Sequence, residues 1–352
     1  MKRILVFAKY STLAASTRQR IVQAIPYLEK AGLSLDIHPL FDNDYLGRMF
    51  SGQSRSASSV ARAYAKRVID LVRSRNHDFL WVQCELFPYL PGSMERLIGL
   101  SGKPVIYDYD DAIFHQYDQH RVPFVRKLLA NKLVPLLRRT DVAFCGNAYL
   151  RAYADRYCAR TEIIPTTVDT SVYASRGPRA TVAPVTVGWI GSPSTWRYCE
   201  ALSGVLEDYA NAPDRAVLVV GAQNAARRAS SFEFRDWSEA REITDIQGMD
   251  IGIMPVPDEP WARGKCGYKL IQYMACGIPV VASPVGVNRE IVQHGVNGFL
   301  ASTDEEWRDA LARLAADAAL RQGMGQAGRA SVEANYSIQR YGPVMADLIN
   351  SL

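Results

Sequence analysis

Short apolar runs that alternate with helical patterns, in two successive series, constrain this chain more than any other feature. The first half carries RILVFAKY, LSLDIHPL, DFLWVQC, KPVIYDYD, DVAFCG and TEIIPT, and the second carries VTVGWIGS, AVLVVGA, DIGIMPVP, IPVVASPVG and NGFLAS. Between them the spacing predicts helices over 17–31 (Ile21, Ile25 and Leu28 on one face, Gly32 as the stop), about 57–75, near 93–99 and roughly 121–139. Further helices are predicted over about 195–210, over 266–277 ending at Gly277, at NREIVQHG and within 304–333. Strands alternating with helices build parallel sheets, so the predicted class is α/β with two doubly wound, Rossmann-like units. The polar segment SRGPRATVAP, residues 175–184, holds two prolines and reads as the linker. The expected division is 1–175, 176–335 and a last helix over 336–352 that crosses back to the first domain. Two such units imply a cleft, with ligands beyond the carboxyl ends of the strands.

Composition agrees with a globular reading. The chain of 352 residues is 48% apolar and 22% charged, long enough for two cores. No apolar run approaches the roughly 20 residues a membrane span needs, and MKRILVFAKY reads as a first strand rather than a signal peptide. The six cysteines, Cys84, Cys145, Cys158, Cys199, Cys266 and Cys276, form no Cys-x-x-Cys pair. They read as mostly buried free thiols in a reducing compartment. Charge is uneven: residues 1–176 carry 25 Lys and Arg against 16 Asp and Glu, residues 177–352 carry 16 against 20. A basic half points to an anionic partner: phosphate, nucleic acid or a membrane face.

The stretch from Gly264 to Gly298 reads GKCGYKLIQYMACGIPVVASPVGVNREIVQHGVNG. Gly264 and Gly267 are read as opening a helix whose first N–H groups lack partners and whose dipole end is positive. Lys265 and Lys269, four residues apart, are expected on one helical face, which builds an anion site from amides and ammonium groups. Gln272 follows within reach of a ribose or sugar hydroxyl. The competing reading is a plain surface helix whose lysines face water.

This stretch resembles the donor-site region of the family-four retaining glycosyltransferases, which have the GT-B fold. The match is carried by YMACGIPVVASPVGVNREIVQHGVNGF, and VDTSVY and EANYS also look like family segments, so the resemblance extends over nearly the whole chain. It implies transfer of a sugar from a nucleotide-sugar. The family's two donor-site glutamates align with Gly264 and Gln272; the first contacts the donor sugar and the second the ribose. The family's diphosphate-binding arginine aligns with Ser192 in GWIGSPSTWRY, leaving Arg197 near the lysine position. Arg263, Lys265, Lys269 and Gly267 are therefore expected to hold the diphosphate, and Arg18, in the loop STLAASTRQR with Arg20, to approach it. Gly221 and Ala222, after the strand AVLVVGA, and Trp237 are expected to line the nucleoside site with Gln272. Glu290 matches the family pattern, and equally suits a cap or a salt bridge.

DYDDAIFHQYDQH, residues 108–120, follows a strand and supports several readings. Asp108 and Asp110 suit a divalent metal holding a diphosphate, or the nucleophile motif of a phosphohydrolase. By alignment Asp110 occupies the place of a histidine at the family's cleft face, where it positions a hydroxyl. Asp108 or Asp111 also suits a helix N-cap. RVPFVRKLLANKLVPLLRR interleaves Arg121, Arg126, Lys127, Lys132, Arg138 and Arg139 with Phe124, Val125, Leu128 and Leu129. It reads either as a core helix with a wet basic side or as a surface that meets anionic lipid. No basic-aromatic module for nucleic acid is present, and no glycine-rich dinucleotide fingerprint.

The expectation is a GT-B enzyme acting with retention and without a metal or other cofactor, Asp110 and Lys269 its catalytic candidates. Its partners are a nucleotide-sugar, a saccharide or lipid-linked acceptor and an anionic membrane surface inside the cell. A metal-dependent phosphohydrolase and a degenerate, non-catalytic sugar-nucleotide-binding module are the alternatives.

Overall fold

The computed structural model describes every residue except 51–53, 55, 176, 178–183 and 223–230, and no side chain is described for Phe50. Most of the expected linker therefore lies outside the described residues. The chain divides into two units: residues 1–167, 264–266 and 338–352, and residues 168–263 and 267–337. The first unit ends at Thr167, upstream of the linker segment, and takes back three residues from the middle of the glycine-lysine motif.

The first unit is built on β1 (Lys2–Tyr10), β2 (Leu33–Phe41), β3 (Phe79–Gln83), β4 (Val105–Tyr109), β5 (Val142–Cys145) and β6 (Thr161–Ile163). All pair in parallel in the order β2-β1-β3-β4-β5-β6. Their apolar runs are continuous because both faces are covered: Ile4 to Ala8 are fully buried, as are Leu80, Trp81 and Val82. The connecting helices are α1 (Ala15–Arg20), α2 (Ile25–Lys30), α3 (Asn43–Phe50), α4 (Ala57–Arg73), α5 (Gly92–Glu95), α6 (His115–Asp118), α7 (Pro123–Leu129), α8 (Val134–Leu137) and α9 (Ala148–Ala154).

The second unit holds β7 (Val185–Ile190), β8 (Arg215–Val220), β9 (Glu233–Arg235), β10 (Ile251–Met254), β11 (Val280–Ala282) and β12 (Gly298–Leu300), ordered β12-β11-β10-β7-β8-β9. Its helices are α10 (Trp196–Glu200), α11 (Ser203–Ala210), α12 (Glu242–Gln247), α13 (Pro260–Arg263), α14 (Tyr268–Ala275), α15 (Asn288–Ile291), α16 (Asp304–Ala316) and α17 (Ala318–Asn335). The last helix, α18 (Ile338–Asn350), belongs to the first unit and packs on α2, where Gly342 lies against Tyr27. Each sheet has one switch point, between β1 and β3 and between β7 and β10, where the connections turn in opposite directions. Such points are where α/β sheets form crevices for ligands.

Two expected helices are interrupted. The 17–31 helix breaks at Ile21 (φ −121°, ψ −60°) and passes through a 3₁₀ turn, Val22–Ala24, into α2, whose Pro26 lacks the N–H that a continuous helix would bond to Val22. The basic 121–139 stretch is two short helices, α7 and α8, parted at 130–133 with proline at the start of each. The cysteines are all free thiols, and five of the six are buried.

Candidate functional site

The second unit's site grows from the ends of β7 and β8. Gly191, directly after β7, donates its N–H to the carbonyl of Val220, the last residue of β8. Gly221 then turns with φ +91°, and a Cβ there would lie 2.2 Å from the Gly191 carbonyl oxygen. Only glycine lets the two backbones meet this closely. Trp237 comes up beside Gly221, its Cβ 3.2 Å from the same point, and Ala222 is fully buried. Residues 223–230, which follow Ala222, lie outside the described residues.

Lys269 reaches the same strand end from α14. Its Cε sits 3.0 Å from where a Gly191 Cβ would be, and its ammonium lies 5.5 Å from the centre of the Trp189 ring. The amine is thus poised at the carboxyl end of β7, beside the switch point with β10. Helix α14 begins only at Tyr268, after Gly267 adopts the left-handed conformation (φ +67°, ψ 18°) against Ile291. That turn corrects the expected geometry. Lys265 precedes it, is not helical, and does not share a helix face with Lys269. Lys265 lies in the first unit, 3.9 Å from Asp111. Gly264 does not open the helix either. Its carbonyl and that of Lys265 accept bonds from Asn147 Nδ2, both at 3.1 Å. A Cβ at Gly264 would lie 2.3 Å from Ala112 Cβ, so a glutamate has no room at this position.

Gln272 is buried in α14. Its Nε2 donates to Tyr173 Oη (2.9 Å) and to Glu242 Oε1 (3.0 Å). Glu242 also accepts from Tyr173 Oη (2.5 Å) and from Trp237 Nε1 (2.8 Å). Burial, with the Glu242 carboxylate beside it, pushes the Tyr173 hydroxyl well above its ordinary pKa. Glu242 and Tyr173 escape a reading of the sequence, because they lie 30 and 99 residues from the glutamine they meet and no motif links them.

Several expected phosphate ligands are engaged elsewhere. Arg263 makes a two-pronged pair with Asp258 (2.7 and 3.2 Å). Arg197 lies over the Tyr198 ring at 4.8 Å and 3.8 Å from Glu259, with its side chain 67% exposed. Ser192 Oγ bonds the Ser194 hydroxyl at 2.9 Å, within its own turn. Arg18 donates to the carbonyls of Thr12 and Leu13 (3.0 and 2.9 Å) and so ties down the loop after β1. Glu290 is exposed in α15.

In the first unit, Asp108 and Asp110 have separate fates. Asp108, fully buried, is paired with the equally buried Arg20, which also donates to the Ile164 carbonyl at 2.6 Å. The pair ties α1 to β4 and to the residue after β6, and takes up the carboxylate that the metal or phosphohydrolase reading requires. Neither Asp108 nor Asp111 caps a helix; the N-cap of α6 is Phe114. Among the described residues no group of three His, Cys, Asp or Glu side chains is placed to hold a metal. Asp110 is 8% exposed, with Thr166 Oγ1 donating to Oδ2 at 3.4 Å. Burial first, and then the Asp111 carboxylate, push its pKa up to about 7. His115 stands between Asp118 (2.8 Å) and Tyr149 Oη (2.8 Å).

Residues 186–317, which span the ends of β7 and β8, Lys269 and Gln272, match the family model described as Glycosyl transferases group 1. Over those residues the second unit is similar to that family's domain. The whole chain has the GT-B fold. It superposes on Anabaena HepE, solved with UDP and glucose, with a TM-score of 0.75 at 16% identity, covering 100% of both chains. Sucrose-phosphate synthase from Thermosynechococcus elongatus gives 0.71 at 16%, over 100% of this chain and 99% of that one. A glycosyltransferase from Rickettsia africae gives 0.70 at 15%, over 99% and 97%. No curated protein matches the sequence. In the second unit, the strand-end glycines and Lys269 are what the fold brings together.

Proposed function

We propose that this protein transfers a sugar from a nucleotide-sugar to a hydroxyl acceptor, with retention at the anomeric carbon and with neither a metal nor a further cofactor. The observation that carries this reading is Lys269 at the carboxyl end of β7, beside the bare backbone of Gly191. A diphosphate there meets an ammonium group that stabilises the charge that develops as it leaves, and the missing side chain at Gly191 leaves room for it. The nucleoside lies against Gly221, Ala222 and Trp237, with Gln272 and Glu242 near the ribose. HepE, solved with UDP and glucose, makes UDP the first nucleotide to try. No carboxylate is assigned as a nucleophile; the departing phosphate guides the acceptor hydroxyl, and Asp110, titrating near neutrality, positions it.

Calorimetry with UDP-, GDP-, ADP- and dTDP-sugars tests the donor assignment. Lys269→Ala is expected to lose about 10- to 100-fold in affinity for the nucleotide that binds, the worth of a charged hydrogen bond. Lys265→Ala is expected to bind like the wild type. Unchanged affinity in Lys269→Ala contradicts the reading, and failure of every nucleotide to bind contradicts the function.

The acceptor is a lipid-linked or polysaccharide saccharide, met at an anionic membrane surface through residues 121–139. Phe124 and Leu128 on α7 are 72% and 52% exposed and stand among Arg121, Arg126 and Lys127. Exposed apolar side chains interleaved with cations suit a headgroup layer. Among the described residues no helix is long and apolar enough to cross a membrane. Flotation with vesicles containing phosphatidylglycerol is expected to carry the protein at low salt, and to lose it in Phe124→Ser/Leu128→Ser; absence of binding contradicts this part.

A further inference from the structure

Helix α4 wears its amphipathic pattern inside out. The residues it buries are Arg67 and Asp70. Arg67 donates to the carbonyl of Ala8 at 2.7 Å, and its guanidinium lies 5.1 Å from the centre of the Phe7 ring. Asp70 Oδ1 lies 3.0 Å from His38 Nδ1. These contacts fix one side of the helix on β1 and β2. The side turned away carries Val68, Ile69 and Val72, which are 42%, 50% and 67% exposed. A surface helix ordinarily buries such residues and exposes its ions. An apolar face left in water in this way marks an interaction surface.

The exposed apolar residues fall in register. Ala61, Ala65, Val68 and Val72 recur at intervals of four, three and four residues, the spacing of a seam between two helices. Arg62, Lys66 and Arg73, all exposed, lie in a row beside that seam. Among the described residues no carboxylate pairs with any of the three. The one carboxylate of α4 itself is Asp70, and it faces inward. The outer face is therefore apolar along its middle and cationic along one edge.

That chemistry selects the occupant. A second copy of α4 would set these cations against their own kind, which costs affinity. Helices that lie on lipid present Trp, Phe and Leu. Helix α4 instead offers alanine, valine and isoleucine, short side chains that let another helix come close, and β-branched residues favour paired helices. We propose that the outer face of α4 binds an acidic amphipathic helix of a partner protein, apolar seam to apolar seam, with the partner's carboxylates on Lys66 and Arg73. Attraction between the two charge rows sets the orientation of the partner helix. This surface is independent of the transferase reading.

Fluorescence anisotropy on the full chain tests it. The probe is a labelled helical peptide of about three heptads, with leucine and isoleucine at the seam positions and glutamate on both flanks. A second peptide carries lysine in place of every glutamate. The glutamate peptide is expected to bind about tenfold more tightly at low salt, and the gap should narrow as salt is raised. Val68→Ser/Val72→Ser should weaken it by about tenfold or more, with the melting temperature unchanged because both side chains are exposed. Lys66→Glu/Arg73→Glu should reverse the preference in favour of the lysine peptide, a result that misfolding does not produce. No binding of the glutamate peptide, or equal binding by Val68→Ser/Val72→Ser, overturns the surface; equal binding of the two peptides overturns its acidic partner. Two further measurements on the same variant name the rival occupants. A dimer seen by sedimentation in the wild type and lost in Val68→Ser/Val72→Ser gives the face to a second copy and overturns the proposal. Loss of phosphatidylglycerol vesicle binding in that variant gives it to lipid and does the same.

Discussion

The two switch points of this molecule are furnished differently. In the second unit, the described residues at the ends of β7 and β8 are two glycines in backbone contact, with Ala222, Trp237 and Lys269 from α14 beside them. In the first unit, the ends of β1, β3 and β4 rest on buried ions. Arg20 pairs with Asp108, and Lys9 and Lys132 with Glu85, while Lys132 also reaches Glu95. Glycine at a strand end leaves room for a diphosphate to approach. A buried ion network instead fixes the loops above it, because each charge is costly without its partner. The contrast sets cations paired within the fold against Lys269, which we propose meets the ligand.

The largest expected effect tests the ionic floor. Lys132→Ala leaves Glu95 and Glu85 buried without their shared ammonium, and should cost about 3–5 kcal/mol of stability in urea unfolding. A loss under 1 kcal/mol would mean that this floor is soft. Next comes Gly221→Ala, which combines a φ of +91° with a Cβ 2.2 Å from a carbonyl oxygen. It should abolish nucleotide binding in calorimetry. Wild-type affinity in this variant would move the nucleoside away from the ends of β7 and β8.

Asp110 gives a smaller, pH-dependent effect. Its folded pKa of about 7 lies above its unfolded value. Its contribution to stability is therefore fully present below about pH 4, where an unfolded Asp titrates, and is lost as pH rises toward 7. Asp110→Asn should flatten that part of the curve of melting temperature against pH, and should lower the rate of transfer to a saccharide more than donor hydrolysis. Wild-type turnover in the variant would remove Asp110 from the acceptor site. Smallest of all is Arg197→Ala. That side chain is 67% exposed, so nucleotide affinity and stability should each change by less than about 0.5 kcal/mol; a large loss of affinity would move the phosphate site toward α10.

Much of this fold is legible from the strands. RILVFAKY and IPVVASPVG declare themselves because a parallel sheet buried on both faces needs unbroken apolar runs. The motif around Lys269 and Gln272 is legible too, since it is local. What escapes is tertiary. Lys265 and Lys269 look like helical neighbours until the left-handed Gly267 parts them. Arg20 finds Asp108 across 88 residues, and Arg263 looks available until Asp258, five residues upstream, takes it. β9, α3, α6, α9 and α13 lack a clear periodic signal, being three to eight residues long.

The central claim is the resting place of the diphosphate. A crystal soaked with UDP-glucose tests it most directly. The account predicts diphosphate density within hydrogen-bonding distance of Lys269 Nζ and in van der Waals contact with Gly191 at the carboxyl end of β7. Ordered nucleotide density that leaves both groups uncontacted would contradict it.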